Sequence, residues 1–287
     1  MENARQIFVT GGTGNQGGAV ARHLIQFGFS IKVLTRDADA GKAKNLQGPQ
    51  TVLVKGDLDR PDSFRDHLKG VYGIFSVQPM GKRSENEMRQ GIALANLARE
   101  YGIDHFIYSS GAGAVSRTGI PHWDSKLNIE NHIKQINIPY TIIRPSSLFE
   151  NFLIPQVKNR IVQGKLVSPA REEAIQQFMA ADDIGVFCSR IFMNTQKYLG
   201  KTITLGSEQM TMKEVAACFS EVLGFPVKYQ RLPGLITRLV MGKDLHRMFQ
   251  WINENNAIFI KDLEGFKKEH PDLLSLKSWI KIHFRKD

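Results

Sequence analysis

Residues 11–18 read Gly-Gly-Thr-Gly-Asn-Gln-Gly-Gly and follow directly on the apolar run Ile7-Phe8-Val9. Their spacing fits Gly-x-Gly-x-x-Gly through Gly12, Gly14 and Gly17, and Gly-x-x-Gly-x-x-Gly through Gly11, Gly14 and Gly17. Lacking a Cβ, Gly11 or Gly12 lets the chain turn sharply, Gly14 lets backbone approach an anion, and Gly17 lets a helix close on a strand. Val20, Leu24 and Ile25 then recur at helical spacing. Strand, tight turn and helix in that order aim the free N–H groups of the first helical turn at an anion, backed by the positive end of the helix dipole. The chemistry this suits is pyrophosphate binding, and the ligand class is a dinucleotide.

The end of the second apolar run, Ile31–Thr35, distinguishes between dinucleotides. Arg36 and Asp37 follow it. A carboxylate there accepts from the ribose hydroxyls of NAD, whereas a guanidinium makes forked, charge-assisted bonds to a 2′-phosphate. Arg36 therefore favours NADP(H) over NAD(H), and Asp37 is the residue that would serve the second. Lys42 and Lys44 follow as helpers or as solvent-facing cations. After the third run, Thr51–Val54, Asp57 with Leu58 beside it stands either near the adenine amino group or as a cap for the helix after Pro61. Ser76, Val77 and Gln78, after the fourth run, are expected beside the nicotinamide-side ribose.

The elements that must position these groups alternate. Apolar runs at 7–9, 31–35, 51–54, 71–77, 105–108 and 140–143 are separated by polar or helical sequence, with helices at 85–100 and 126–135. That order implies an α/β fold, a Rossmann-type doubly wound parallel sheet with right-handed crossovers. Beyond Pro145 the rhythm loosens into helices at 151–163, 183–193 and 211–223, the last closed by Gly224, and a strand at 201–205 that would rejoin the sheet. Short helices joined by turns are expected thereafter. The reading is a nucleotide-binding domain over 1–150 and a smaller, mostly helical part over 151–287, packed on the sheet edge. Within it, Leu235, Ile236, Leu239 and Val240 form an apolar stripe in the basic stretch Leu232–Arg247, a pattern that reads more readily as core than as a partner surface.

Composition bounds the alternatives. The 287 residues carry a formal net charge of +10 and 42% hydrophobic side chains, ordinary for a globular chain able to bury a sizeable core. The cations are dispersed, with modest concentrations at Lys42–Lys44, Arg231–Arg247 and Lys277–Lys286, and no nucleic-acid-reading motif is visible, so direct binding to DNA or RNA is not expected. Cys188 and Cys218 lie in separate helical patterns without metal-ligand spacing, and neither a metal nor a disulfide is expected. With a short polar start and no long apolar run, the expectation is a cytoplasmic protein without a membrane segment, monomeric or homodimeric.

The residues Gly11–Gly18, Thr35-Arg36, Gly56-Asp57, Lys126 in His122-Trp123-Asp124-Ser125-Lys126, Ile142–Pro145 and Phe149-Glu150-Asn151 together resemble the NmrA-like family of atypical short-chain dehydrogenases/reductases, in particular its NADPH-sensing members. The resemblance covers nearly the whole chain. It implies NADP(H) binding by Gly11, Gly12, Thr13, Gly14, Asn15, Gln16 and Gly17, by Arg36, Asp57 and the Ser76–Gln78 loop, by Lys126, and by Leu148, Phe149, Glu150 and Asn151. Arg89 matches a further cation that reaches the cofactor from the helix after the fourth strand.

One departure bears on catalysis. Active reductases of this superfamily use Tyr-x-x-x-Lys, in which tyrosine donates a proton and lysine lowers its pKa and holds the ribose. Here the frame reads His122-x-x-x-Lys126. His122 is the candidate donor in its place, although it precedes the expected helix start. Ser110, with Ser109, stands where reductases polarise substrate or, equally, where loop hydroxyls cap backbone. Lys126 is needed for ribose binding whether or not a hydride moves. Two functions follow as expectations: a redox-sensing regulator acting through a protein partner, or an NADPH-dependent reductase of a quinone or small conjugated carbonyl.

Overall fold

The computed structural model describes residues 5–79, 84–115 and 118–284, so the end of the basic tail, Arg285 and Lys286, lies outside the described residues. In chain order the strands are β1 (Gln6–Val9), β2 (Ser30–Thr35), β3 (Thr51–Lys55), β4 (Gly73–Ser76), β5 (His105–Ser109), β6 (Tyr140–Pro145), β7 (Ser147–Leu148), β8 (Lys165–Ser168), β9 (Ile175–Met179), β10 (Thr202–Leu205), β11 (Glu208–Thr211) and β12 (Lys228–Arg231). The helices are α1 (Asn15–Gln26), α2 (Gly41–Lys44), α3 (Ser84–Glu100), α4 (Pro121–Gln135), α5 (Pro155–Val162), α6 (Ala181–Met193), α7 (Thr195–Tyr198), α8 (Met212–Leu223), α9 (Gly234–Asn255), α10 (Leu263–Glu269) and α11 (Leu276–His283). The chain forms two compact units: Met1–Ser116, His122–Arg144 and Ala181–Ile203 in the first, and Arg117–Pro121, Pro145–Ala180 and Thr204–Asp287 in the second.

The first unit is built on a seven-stranded sheet in the order β10-β6-β5-β4-β1-β2-β3. Neighbouring strands from β3 to β6 are all parallel, giving the doubly wound Rossmann arrangement. Chain order reverses between β1 and β4, and ligands in such sheets bind beyond the carboxyl ends of the strands at that point. Because side chains alternate across a strand, Phe8, Ile74, Phe106 and Tyr108 pack on one face with Leu94, Ile129 and Ile133 of α3 and α4. The opposite face receives α6: a Cβ on Gly73 would lie 2.5 Å from the Phe192 ring.

Helix α6 also supports α1. A Cβ at Gly185 would stand 2.6 Å from the carbonyl oxygen of Ala19, so the two helices touch backbone to backbone. Asp182 fastens the contact, bonding Arg22 at 3.3 Å and His23 at 3.0 Å. The His23 hydrogen bond is the chief reason the Asp182 carboxyl lies below its ordinary range. The helix that carries the glycine motif is therefore held from behind by a segment about 160 residues away.

The second unit has a core of Phe149, Phe152, Phe178, Phe219, Trp279 and Phe284. Strand β9 lies between β11, antiparallel to it, and β7, parallel to it, and β8 pairs in parallel with β12. Helix α8 opens with a capping box, Thr211 against Glu214, and closes at Gly224 with φ 74°. No described helix is long and apolar enough to cross a membrane.

Three local expectations change. The helix expected over 151–163 is a 3-10 turn, Phe149–Leu153, followed by α5, because Pro155 has no N–H to continue the first and suits the opening of the second. Helix α4 begins at Pro121 for the same reason, so His122 lies within it. The apolar stripe in 232–247 is not core. Thr237 is the buried residue of that turn, and the outward side exposes Leu235 (74%), Leu239 (78%) and Val240 (73%). Gly242, at φ 84°, breaks α9 just beyond them.

Replacing Gly185 with alanine puts a methyl carbon where Ala19 and His23 already stand. Overpacking of this kind costs about 1–3 kcal/mol, and chemical denaturation of the variant is expected to show a loss in that range.

Candidate functional site

The turn after β1 is set by backbone contact. Gly11 adopts φ 64°, and the Gly14 N–H donates to its carbonyl at 2.9 Å. A Cβ on Gly17 would fall 2.4 Å from the Gly11 carbonyl, and one on Gly12 would fall 2.3 Å from a Val33 methyl. Only glycine fits either position. Helix α1 then starts at Asn15, behind the exposed Gly14, with no side chain capping it. The first-turn N–H groups of an α-helix have no intrahelical acceptor, so Asn15, Gln16 and Gly17 present theirs to whatever lies ahead of the helix, with Thr13 in the turn before them.

The loop after β4 is tied to this turn. The Thr10 hydroxyl accepts from the Val77 N–H at 2.8 Å and is within 2.9 Å of the Val77 carbonyl as a donor. The side chain of Val77 in turn occupies the space where Gly11 would carry a Cβ. Ser76 and Gln78 are both buried; the Gln78 amide donates to Ser76 Oγ at 2.9 Å, while its Oε1 has no partner among the described residues.

At the other side of the switch point, Arg36 and Asp37 are exposed just past β2. Asp37 accepts the Asp39 N–H, and Asp57 accepts the Asp59 N–H, so both carboxylates hold turns. Asp57 does not cap the 3-10 turn at Pro61–Ser63, whose N-cap position belongs to Arg60. Leu58 packs against the core under α3 and α4. Lys42 and Lys44 lie on the short α2, Lys44 within 3.9 Å of Asp39. Asp59, which sequence reasoning missed, gathers the cations here: Arg89 bonds it at 2.7 Å, Gln90 at 2.8 Å, and Arg36 lies within electrostatic reach. The Gln90 hydrogen bond, with Arg89 and Arg36, holds the Asp59 carboxyl below its ordinary range.

The third group surrounds the end of β5. Alternation sends Ser109 and Ser110 to opposite faces. Ser109 donates to Gln16 of α1 at 2.6 Å, and Ser110 donates to Glu130 of α4 at 2.6 Å. Glu130 is fully buried and receives two further bonds from Arg144, at 2.8 and 2.6 Å. Lys126 runs over Gly111, and its Nζ donates to Glu87 of α3 at 2.5 Å; the other oxygen of Glu87 accepts from Ser125 at 3.3 Å. His122 lies one turn before Lys126, 7% exposed, with its ring against Trp123. Tyr108, also on the helix side, is enclosed, and its hydroxyl has no partner among the described residues. Burial, with Glu87 and Glu130 nearby, raises its pKa well above the usual value. It stays protonated and out of reach, and so does not stand in for the tyrosine missing at position 122.

Leu148, Phe149, Glu150 and Asn151 belong to the second unit. The Phe149 ring is fully buried against Phe178 and Trp279, and Glu150 accepts from the Trp279 indole at 3.0 Å. Asn151 is exposed and reaches Ser147. Among the described residues, no group of three or more His, Cys, Asp or Glu is arranged to hold a metal.

The first unit thus brings together the glycine turn, the Ser76–Gln78 loop, Ser109 and Gln16, with Arg36 and Arg89 sharing Asp59 on the β3 side. A dinucleotide fits this arrangement on three observations: an uncapped first turn, a backbone too close at Gly17 to admit a side chain, and a buried Gln78 Oε1 with no donor among the described residues.

The model of the NmrA-like family matches residues 3–273, and the chain belongs to that family. An NAD(P)H azoreductase from Xenophilus azovorans is 28% identical over 225 residues, 78% of this chain and 76% of that protein. The Citrobacter sp. triphenylmethane reductase complexed with NADP(H) superposes with a TM-score of 0.80 at 24% identity, covering 96% of this chain and 99% of that one. NmrA, a negative transcriptional regulator in complex with NADP, gives 0.79 at 20% identity, covering 98% and 95%. At these identities the two solved structures establish a shared fold.

Changing Glu130 to glutamine removes the only carboxylate bonded to Arg144 among the described residues while preserving shape. Breaking a buried ion pair on one side is strongly destabilising, and a loss of about 3–5 kcal/mol is expected in thermal or denaturant unfolding.

Proposed function

We propose that this NmrA-like chain binds NADP(H) in the glycine turn and serves as a redox-sensing regulator that reports cofactor occupancy to a protein partner. The observation that carries the binding is the α1 N-terminus: uncapped, pressed at Gly17 against the backbone of Thr10 and Gly11 in the turn after β1, and open at Gly14 and Asn15. The pyrophosphate would be held by the N–H groups of Asn15, Gln16 and Gly17, and the loop Ser76–Gln78 would lie beside the nicotinamide-side ribose. Arg36 would take the 2′-phosphate, with Arg89 as a second cation if it exchanges Asp59 for the ligand. Asp57, already holding a turn, would shape the adenine side. Lys126 would hold the nicotinamide-side ribose hydroxyls.

The regulatory reading is supported by what surrounds Lys126. The superfamily's proton donor is replaced by a buried histidine, Ser110 is engaged by Glu130, and Tyr108 is enclosed. The partner surface in this reading is the outward side of α9 at Leu235, Leu239 and Val240, flanked by the exposed Arg231, Arg238, Lys243 and Arg247. Its charge suits a partner with acidic residues around an apolar contact.

A second reading, an NADPH-dependent reductase, is favoured by the named activities of the azoreductase and triphenylmethane reductase relatives. The nicotinamide, when bound, supplies a hydride. An electron-poor conjugated acceptor such as a quinone takes it without an acid placed as in the ketoreductases, and Lys126 would serve only to orient the cofactor.

Arg36→Ala is expected to weaken NADPH binding about tenfold or more, the scale of a lost charge-assisted pair, and to change NADH binding less than twofold. Equal losses for both would contradict the 2′-phosphate assignment. NADPH oxidation against a panel of quinones, azo dyes and conjugated carbonyls separates the two readings. The regulator predicts tight binding without turnover, and turnover abolished by Lys126→Ala would establish the reductase.

A further inference from the structure

Lysine has three ammonium donors and a flexible stem, so a lysine intended for a sugar hydroxyl must be told where to stand. Nothing in α4 does this for Lys126. Its Nζ is instead met by Glu87, from a helix 39 residues earlier, at 2.5 Å. The two ends of that bond differ in environment: the Glu87 side chain is 2% exposed and the Lys126 side chain 18%. Glu87 is itself restrained, because Ser125 donates to its second oxygen and the body of α3 packs on the core beneath. The Lys126 stem lies along Gly111, where a Cβ would come within 3.4 Å of Cδ. The outer carbons of the lysine thus lie over the Gly111 backbone and its tip meets a fixed carboxylate, a bond that uses one of three ammonium donors.

Desolvating such a pair is costly, and an apolar pair of similar volume would pack as well or better. The Glu130–Arg144 pair closes on itself through two guanidinium nitrogens, whereas Lys126, at the same side-chain exposure, is fixed by a single bond. We propose that Glu87 is the positioning residue for Lys126, setting the ammonium group where it meets the hydroxyls of the nicotinamide-side ribose. This rests on the NADP(H) reading above and adds to it a residue that the glycine motif and the His122-x-x-x-Lys126 frame do not contain. Helix α3 then serves both ends of the cofactor. Glu87 sets the lysine at the nicotinamide end, and Arg89 and Gln90 engage Asp59 near Arg36 at the other.

The test compares NADPH with adenosine 2′,5′-bisphosphate, which carries the adenine, its ribose and the 2′-phosphate but no nicotinamide ribose. In equilibrium titrations of the full chain, Glu87→Gln is expected to weaken NADPH about tenfold, a typical cost for losing one well-placed charged hydrogen bond, while the adenine fragment stays within twofold. Combined with Lys126→Ala, it should add little further loss, because both changes remove one interaction. Ser125→Ala, which keeps the Glu87 charge and relaxes only its orientation, is expected to give a smaller loss confined to NADPH, and it serves if Glu87→Gln does not fold. NADPH affinity unchanged in the variants, or equal losses for both ligands, would overturn the assignment. Failure of the unsubstituted chain to bind either ligand is a separate result: it would remove the NADP(H) reading and this assignment with it.

Discussion

The contact between Gly17 and the carbonyl of Gly11 is the constraint from which the rest of the first unit follows. A helix brought this close to the turn it leaves has no room for a side chain at Gly17, and its N-cap residue, Gly14, has no side chain to close the first turn, so those N–H groups must be satisfied by solvent or ligand. The surroundings stabilise this exposed end instead of covering it. Gly185 lets α6 press against the back of α1, Thr10 fastens the Ser76–Gln78 loop alongside, and Gln16 is bonded to Ser109 across the top of the sheet. Three separated stretches of chain, at 77, 109 and 185, thus brace one helix and the turn that leads into it.

A second layer of organisation runs beneath α3 and α4, where two carboxylates are buried. Glu130 is neutralised by Arg144 and bonded by Ser110, a closed arrangement that ties α4 to β5 and β6. Glu87 is different in what it holds: Arg144 spends two guanidinium nitrogens on Glu130, whereas Lys126, equally exposed, gives Glu87 a single ammonium bond. The same physics, a buried carboxylate that demands a positive partner, gives a fastening in one case and an oriented lysine in the other. Tyr108 lies within electrostatic reach of both carboxylates, and they reinforce the effect of burial in keeping its hydroxyl neutral.

Local sterics were legible in the sequence. The glycine spacing and the alternation of strands and helices depend on residues within a few places of one another, and the parallel sheet and the turn conformation agree with them. Partners brought from afar were not legible. Glu87 sits in the polar run Ser84–Glu87 and reads as a solvated helix start, and Asp59 reads as one acid among several; each acquires meaning only when α3 folds over the strand ends. In the second unit, strands such as Ile175–Met179 lack alternation strong enough to be seen. The stripe at Leu235–Val240 shows the limit of periodicity, which finds an apolar face but does not say whether anything covers it: Thr237, not the stripe, turns inward.

Binding of NADPH to the unmodified chain is the measurement on which the account rests most directly. Titration of the purified protein with NADPH and with NADH, followed by calorimetry or by energy transfer from its tryptophans to the reduced nicotinamide, should give saturable binding of one dinucleotide per chain, with NADPH the tighter ligand. Absence of saturation with either, or equal affinity for both, would contradict the assignment of the glycine turn and Arg36 to an NADP(H) site.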